Sequence, residues 1–187
     1  MHRDGHPPTR ATLGGTGRPF HGYPGRGPNV SPDRTPIRRL ASRMDTPPER
    51  LSELAGSRDA EVRRRVGHRP TCPAAALSTL ARDPDPWVRG AVGENPSAPS
   101  DLLAALAVDP DDRARGGVAA NPIVGETRLR QLAVDPSPWV RANATMNPAC
   151  PPDLLSTLAA DPDSELVRLA STGTMRRLDR AQWTHPE

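Results

Sequence analysis

Residues 83–96 read DPDPWVRGAVGENP, and residues 135–148 read DPSPWVRANATMNP. The two stretches lie 52 residues apart, twice 26. Shifting the sequence by 26 aligns five segments: 45–70, 71–96, 97–122, 123–148 and 149–174. Within them the seventh position is Leu51, Leu77, Leu103, Leu129 and Leu155. The tenth is Leu54, Leu80, Leu106, Leu132 and Leu158, and the eleventh is Ala55, Ala81, Ala107, Ala133 and Ala159. Apolar residues at i, i+3 and i+4 mark one face of a helix.

Punctuation on either side bounds that helix. Pro47, Pro73, Pro99, Gly125 and Pro151 precede it, and Pro suits the first helical position, where the missing N–H costs nothing. The stretch TPPE (46–49) reads as a capping box. Asp83, Asp109, Asp135 and Asp161 each precede a Pro, and a residue before Pro avoids helical angles. A second helix follows, with Asp85 and Ser137 as candidate caps and Pro86 and Pro138 at its first position. It offers Val62, Val88, Ala114 and Val140, then Val66, Val92, Val118 and Ala144, to a core. Asn95-Pro96, Asn121-Pro122 and Asn147-Pro148 end it. Each repeat is expected to be a helix of about 10 residues and a second of about 8, the second short enough to be partly 3₁₀.

One such unit cannot fold alone. About five buried apolar side chains, each stabilising by roughly 1.5–3 kcal/mol, do not offset about 1–2 kcal/mol of backbone entropy for each ordered residue. Only stacking covers both sides of every layer. The predicted fold is all-α, an α-solenoid of five 26-residue two-helix repeats with a capping helix at each end. The pattern L-x-x-L-A-x-D-P-x-x-x-V-R, followed by V and then N-P, resembles the leucine-rich repeat variant family, which is similar to armadillo-like solenoids. The resemblance spans 45–174, about 70% of the chain. It implies short α and 3₁₀ helices alternating in a right-handed superhelix without strands. Some relatives carry an N-terminal four-cysteine iron–sulfur module. No Cys precedes Cys72 here, so the resemblance implies no cofactor.

Outside the repeats the composition changes. Residues 1–43 hold eight Arg against two Asp; the remainder holds 17 Arg against 20 acids, a net −3. There is no Lys, an Arg bias of GC-rich bacterial genomes. Residues 1–34 lack hydrophobic period and read as a disordered basic tail. Residues 35–44 read as a capping helix, with Ile37, Leu40 and Met44 on one face and Leu40 in the register of Val66. Met44 is also a candidate start codon, which would remove the tail from the protein. In the fifth repeat Leu166, Val167 and Arg168 sit one residue late, and Met175, Leu178 and Trp183 (in 175–187) suggest a closing helix. No apolar run reaches a membrane span or a signal-peptide core, so the chain is expected to be cytoplasmic, monomeric and free of membrane.

Several residue sets invite a functional reading. Arg63, Arg89, Arg115 and Arg141 recur after the first Val, with Arg168 after the shift. They are either a row of guanidinium groups facing an acidic or phosphate-bearing partner, or braces for the Asp six residues earlier. Ser57 replaces that Asp in the first repeat, so Arg63 is expected to be freest, and Arg64 and Arg65 extend a basic patch. Trp87 and Trp139 open alternate second helices where Glu61 and Arg113 stand elsewhere. They are partner-binding anchors or packing for the adjacent Pro. His68 has no His or carboxylate at ligand spacing along the chain. Cys72 and Cys150 share a register three units apart, about 25–30 Å for layers of 8–10 Å, too far for a disulfide. The sequence thus predicts a non-enzymatic scaffold binding a protein or peptide in a solenoid groove. The alternative is nucleic-acid binding through the tail and the Arg row. A HEAT-like enzyme would need a singled-out carboxylate, and none of the turn Asp residues is distinguished.

Overall fold

The Asp-Pro turns and Pro-started helices determine the element order. A computed structural model describes residues 34–161, 165, 167, 168 and 170–173. The described part opens with α1 (Arg34–Ser42). The repeats then pair α2 (Pro48–Ala55) with α3 (Ala60–Gly67), α4 (Ala74–Leu80) with α5 (Pro86–Glu94), and α6 (Ser100–Leu106) with α7 (Asp112–Ala120). The fourth pairs α8 (Glu126–Leu132) with α9 (Pro138–Met146), and α10 (Pro152–Ala159) begins the fifth. Among the described residues there is no strand.

The helix lengths invert the sequence expectation. The first helices run 7–8 residues and the second 8–9, all of them α. The first helices are short because Pro47, Pro73, Pro99 and Pro151 are N-caps, not first helical residues. Their ψ angles of 143–150° are extended, and their carbonyls accept the first helical bonds. The capping box at TPPE is absent for the same reason. Thr46 lies before the cap, and its hydroxyl donates to Leu40 O at 2.6 Å, tying the first repeat to α1. The second helices start as read: Asp85 caps Trp87 N at 2.9 Å, with Pro86 following, and Asp59 and Asp111 cap α3 and α7 alike. Ser137 occupies the cap position of α9 but makes no cap bond; its hydroxyl donates to Asp112 Oδ2 across to α7.

The core is the row of repeated apolar positions. Leu51, Leu77, Leu129 and Leu155 are fully buried, as are Val66, Val92, Val118 and Ala144 on the second helices. The layer of second helices is tight. A Cβ added to Gly117 would stand 2.2 Å from Gly90 O, and one on Gly93 would stand 2.8 Å from Val118 N. The α5 and α7 backbones therefore touch, which only glycine permits. First helices of successive repeats meet much less.

The end caps differ in register from the sequence reading. Helix α1 packs on α3 as a half-repeat, but one residue out of step. Arg38 pairs with Asp59 across 21 residues where the interior pairs span 20, and Ala41, not Leu40, is fully buried. Met44 lies beyond α1 and is exposed. At the other end Val167 is buried and Arg168 Nη1 donates to Asp161 O, seven residues back, so the one-residue shift is real. The basic tail and the 175–187 closing segment lie outside the described residues.

Candidate functional site

The Arg row is built from the turn. Arg89 leaves α5 with Nε and Nη2 both bonded to Asp109, at 2.8 Å each, in the next repeat. Its Nη1 donates to Asp83 O at 2.8 Å in its own repeat. Arg63 does the same to Asp83 and Ser57 O, Arg115 to Asp135 and Asp109 O, and Arg141 to Asp161 and Asp135 O. The Asp six residues earlier therefore contributes its carbonyl oxygen, and the carboxylate partner is the Asp twenty residues later. This corrects the brace read from sequence, and Arg63 is not the freest member. A backbone acceptor survives the change of Asp to Ser57. Each carboxylate is also held at home: Asp83, Asp109 and Asp135 accept the N–H of Asp85, Asp111 and Ser137 at 2.8–2.9 Å.

These bidentate, largely buried pairs link consecutive layers. The carboxylates push the pKa of Arg63, Arg89 and Arg115 up against the opposing effect of burial. Burial pushes Asp109 up, but Arg89, the Asp111 N–H and nearby Arg charges outweigh it, holding the carboxyl below its ordinary range.

A second ladder was legible in sequence only as helix stops. Asn121 Nδ2 donates to Gly93 O at 2.6 Å and Asn95 O at 2.8 Å in the preceding repeat, while Oδ1 accepts Ile123 N. Asn95 and Asn147 repeat the pattern. All three are buried. Their targets are backbone carbonyls, which leave no side-chain signature; the only signal was that Asn, not Asp or Ser, recurs.

A third row stays at the surface. Glu61, Trp87, Arg113 and Trp139 share one register on α3, α5, α7 and α9. Arg113 lies over the Trp87 ring, 5.0 Å from its centroid, a cation–π contact. Trp139 is 39% exposed. A Cβ on Gly116 would stand 2.9 Å from Trp139 Nε1 and 3.0 Å from Asn143 Nδ2, so both donors converge where α7 has no side chain. Among the described residues neither nitrogen makes a hydrogen bond. Sequence reading found both Trp residues but missed Asn143 and Gly116.

The basic patch is partly engaged. Arg64 binds Glu61 through Nε and Nη2, at 2.9 and 3.0 Å, and Arg65 binds it through Nε at 2.9 Å. Burial opposes the Glu61 charge, yet the two guanidinium groups hold its carboxyl below the ordinary range. His68 does have a carboxylate neighbour: Glu94 Oε2 is 3.4 Å from its Nδ1. The repeat itself supplies the spacing, since Glu94 is 26 residues on. Burial, reinforced by Arg64, pushes His68 down. Cys72 and Cys150 are buried free thiols, each pushed up to about 11 by burial, and so poor nucleophiles.

Comparison with known proteins agrees with the repeat. Residues 86–111 match the family model described as leucine rich repeat variant. One solved structure, titled a leucine-rich repeat variant with a novel repetitive protein structural motif, is 27% identical, covering 77% of this chain and 67% of its own, with a TM-score of 0.35. No curated protein matches. The chain resembles the leucine-rich repeat variant family, and its described residues form an all-α repeat stack. No helix among them is long and apolar enough to cross a membrane.

Proposed function

We propose that the chain is a non-enzymatic scaffold that binds a protein segment along the second helices. The observation that carries this is the row Trp87, Arg113 and Trp139, which stays accessible in a stack whose Arg and Asn ladders are spent on neighbouring repeats. Partly exposed Trp beside Arg is the composition of binding hot spots. Trp139 Nε1 adds an unbonded donor on an exposed side chain, suited to a backbone carbonyl of an extended segment, above the buried Asn143. Arg65 flanks the row and has Nη2 unbonded among the described residues, a donor for an acidic partner. The nucleic-acid reading is weaker, because Arg63, Arg89, Arg115 and Arg141 are bonded to Asp carboxylates; what is left of it rests on the tail.

The test is affinity. Peptides selected by display on the full chain should lose at least tenfold in affinity on Trp139→Ala, while melting is unchanged. Undiminished binding to a well-folded Trp87→Ala/Trp139→Ala variant would refute the assignment. A gel shift with DNA, repeated across salt concentrations and with residues 1–34 removed, separates tail electrostatics from the repeats.

A further inference from the structure

We propose that the N-terminal end of the described stack binds a phosphate-type dianion between the turn after α1 and helix α3. A hollow of about 440 Å³ is lined there by Arg39, Ser42, Arg43 and Arg65. Three arginines line one hollow, and guanidinium groups bind a tetrahedral oxyanion through paired N–H donors. Their present bonds leave donors over. Arg43 spends Nε and Nη2 on Asp45, and Arg65 spends Nε on Glu61 and Nη1 on the Ser42 hydroxyl. Arg39 is exposed and pairs with no acid among the described residues. Glu61 is already shared with Arg64, so the local balance is positive on a repeat body that is net negative.

Arg69 is the second, independent observation. It stands in the register of Asn95, Asn121 and Asn147, yet carries a guanidinium where the ladder elsewhere uses a neutral amide. It is 7% exposed, and its Nε and Nη2 are buried with no hydrogen-bond partner. Its Nη1 reaches Ser42 O at 3.4 Å and Met44 Sδ at 3.1 Å. Ser42 lines the hollow, and its carbonyl accepts from Arg69. Buried polar groups are nearly always paired, and a buried charge more so. Arg69 does not line the hollow and its Nε and Nη2 are closed to solvent, so an anion there answers its charge through space rather than by a hydrogen bond. A phosphate group carries up to two charges and three strong acceptor oxygens, which answers several guanidinium groups at once. The same chemistry comes as a free ion or as a phosphorylated side chain of a partner.

Calorimetric titration of the full chain at constant ionic strength tests this, using inorganic phosphate, a short phosphoserine peptide and its unphosphorylated form. Saturable binding of a phosphate-bearing probe, absent for the unphosphorylated peptide, is expected. Arg39→Ala should weaken it at least tenfold without changing melting in the absence of phosphate. Arg69→Asn should restore the amide ladder, raise the melting temperature and also weaken phosphate. Tighter binding of the peptide than of phosphate assigns the group to a partner protein, and the reverse assigns it to the free ion. Equal binding by wild type and Arg39→Ala, or no saturation of either probe below about 10 mM, overturns the site. Trp139→Ala leaves this binding intact, so the two proposals fail separately.

Discussion

Removing Arg89 should break a specific joint between the second and third repeats. Its guanidinium makes two bonds to Asp109 and one to Asp83 O, all at 2.8 Å, and the paired side chains are only 15% and 10% exposed. Arg89→Ala leaves the Asp109 carboxylate with the Asp111 N–H as its main support, in a site that has already lost most of its water. Breaking one side of a buried pair costs about 3–5 kcal/mol, and the residual exposure places Arg89→Ala near the lower end, about 3 kcal/mol. Urea unfolding of Arg89→Ala, Asp109→Ala and the double variant should give a coupling energy of about 1–3 kcal/mol. The same cycle with Asp83→Ala is the control, because Arg89 uses the Asp83 carbonyl, which alanine keeps. Its coupling should be below about 0.5 kcal/mol. A larger coupling to Asp83 than to Asp109 would refute the joint.

Acid should act on the same pair. The Asp109 pKa is depressed in the fold, so its contribution is complete above its unfolded value, about 3.9, and is lost as pH falls through the folded value. The gap in urea midpoint between wild type and Arg89→Ala should therefore narrow below about pH 4. Asn121→Ala should destabilise by about 1–3 kcal/mol for each buried partner it leaves unpaired, read by thermal melting. Leu80→Ala and Leu106→Ala should each cost about 2–5 kcal/mol, since both are buried in interior repeats. Gly117→Ala should destabilise by about 1–3 kcal/mol or more by driving a methyl into Gly90 O, whereas Gly125→Ala, with open space around it, should leave melting nearly unchanged.

The fold was legible because it is written in side chains that recur. Leu77, Leu80 and Ala81 name a helix face, and Asp83-Pro84 names its end; five copies at one period leave the stack as the way to bury them. What was not legible is how layers join. The Asp register lies both six residues before and twenty after each Arg, because six and twenty sum to the repeat length of 26. Sequence cannot tell which of the two gives its carboxylate and which its carbonyl. Asn121 reads as a helix stop because its partners, Gly93 O and Asn95 O, are backbone. The site was legible in part for a related reason: Trp87 and Trp139 stand out by rarity, but Asn143 and Gly116 matter only through their position on adjacent helices.

The Arg and Asn ladders join repeats, and the Trp row faces a partner. Melting and peptide affinity measured side by side on Trp139→Ala and Arg89→Ala test that division most directly. Trp139→Ala should lose at least tenfold in affinity at unchanged melting, and Arg89→Ala, while still folded, should melt lower at unchanged affinity. Loss of affinity in folded Arg89→Ala, with Trp139→Ala binding as wild type, would contradict it.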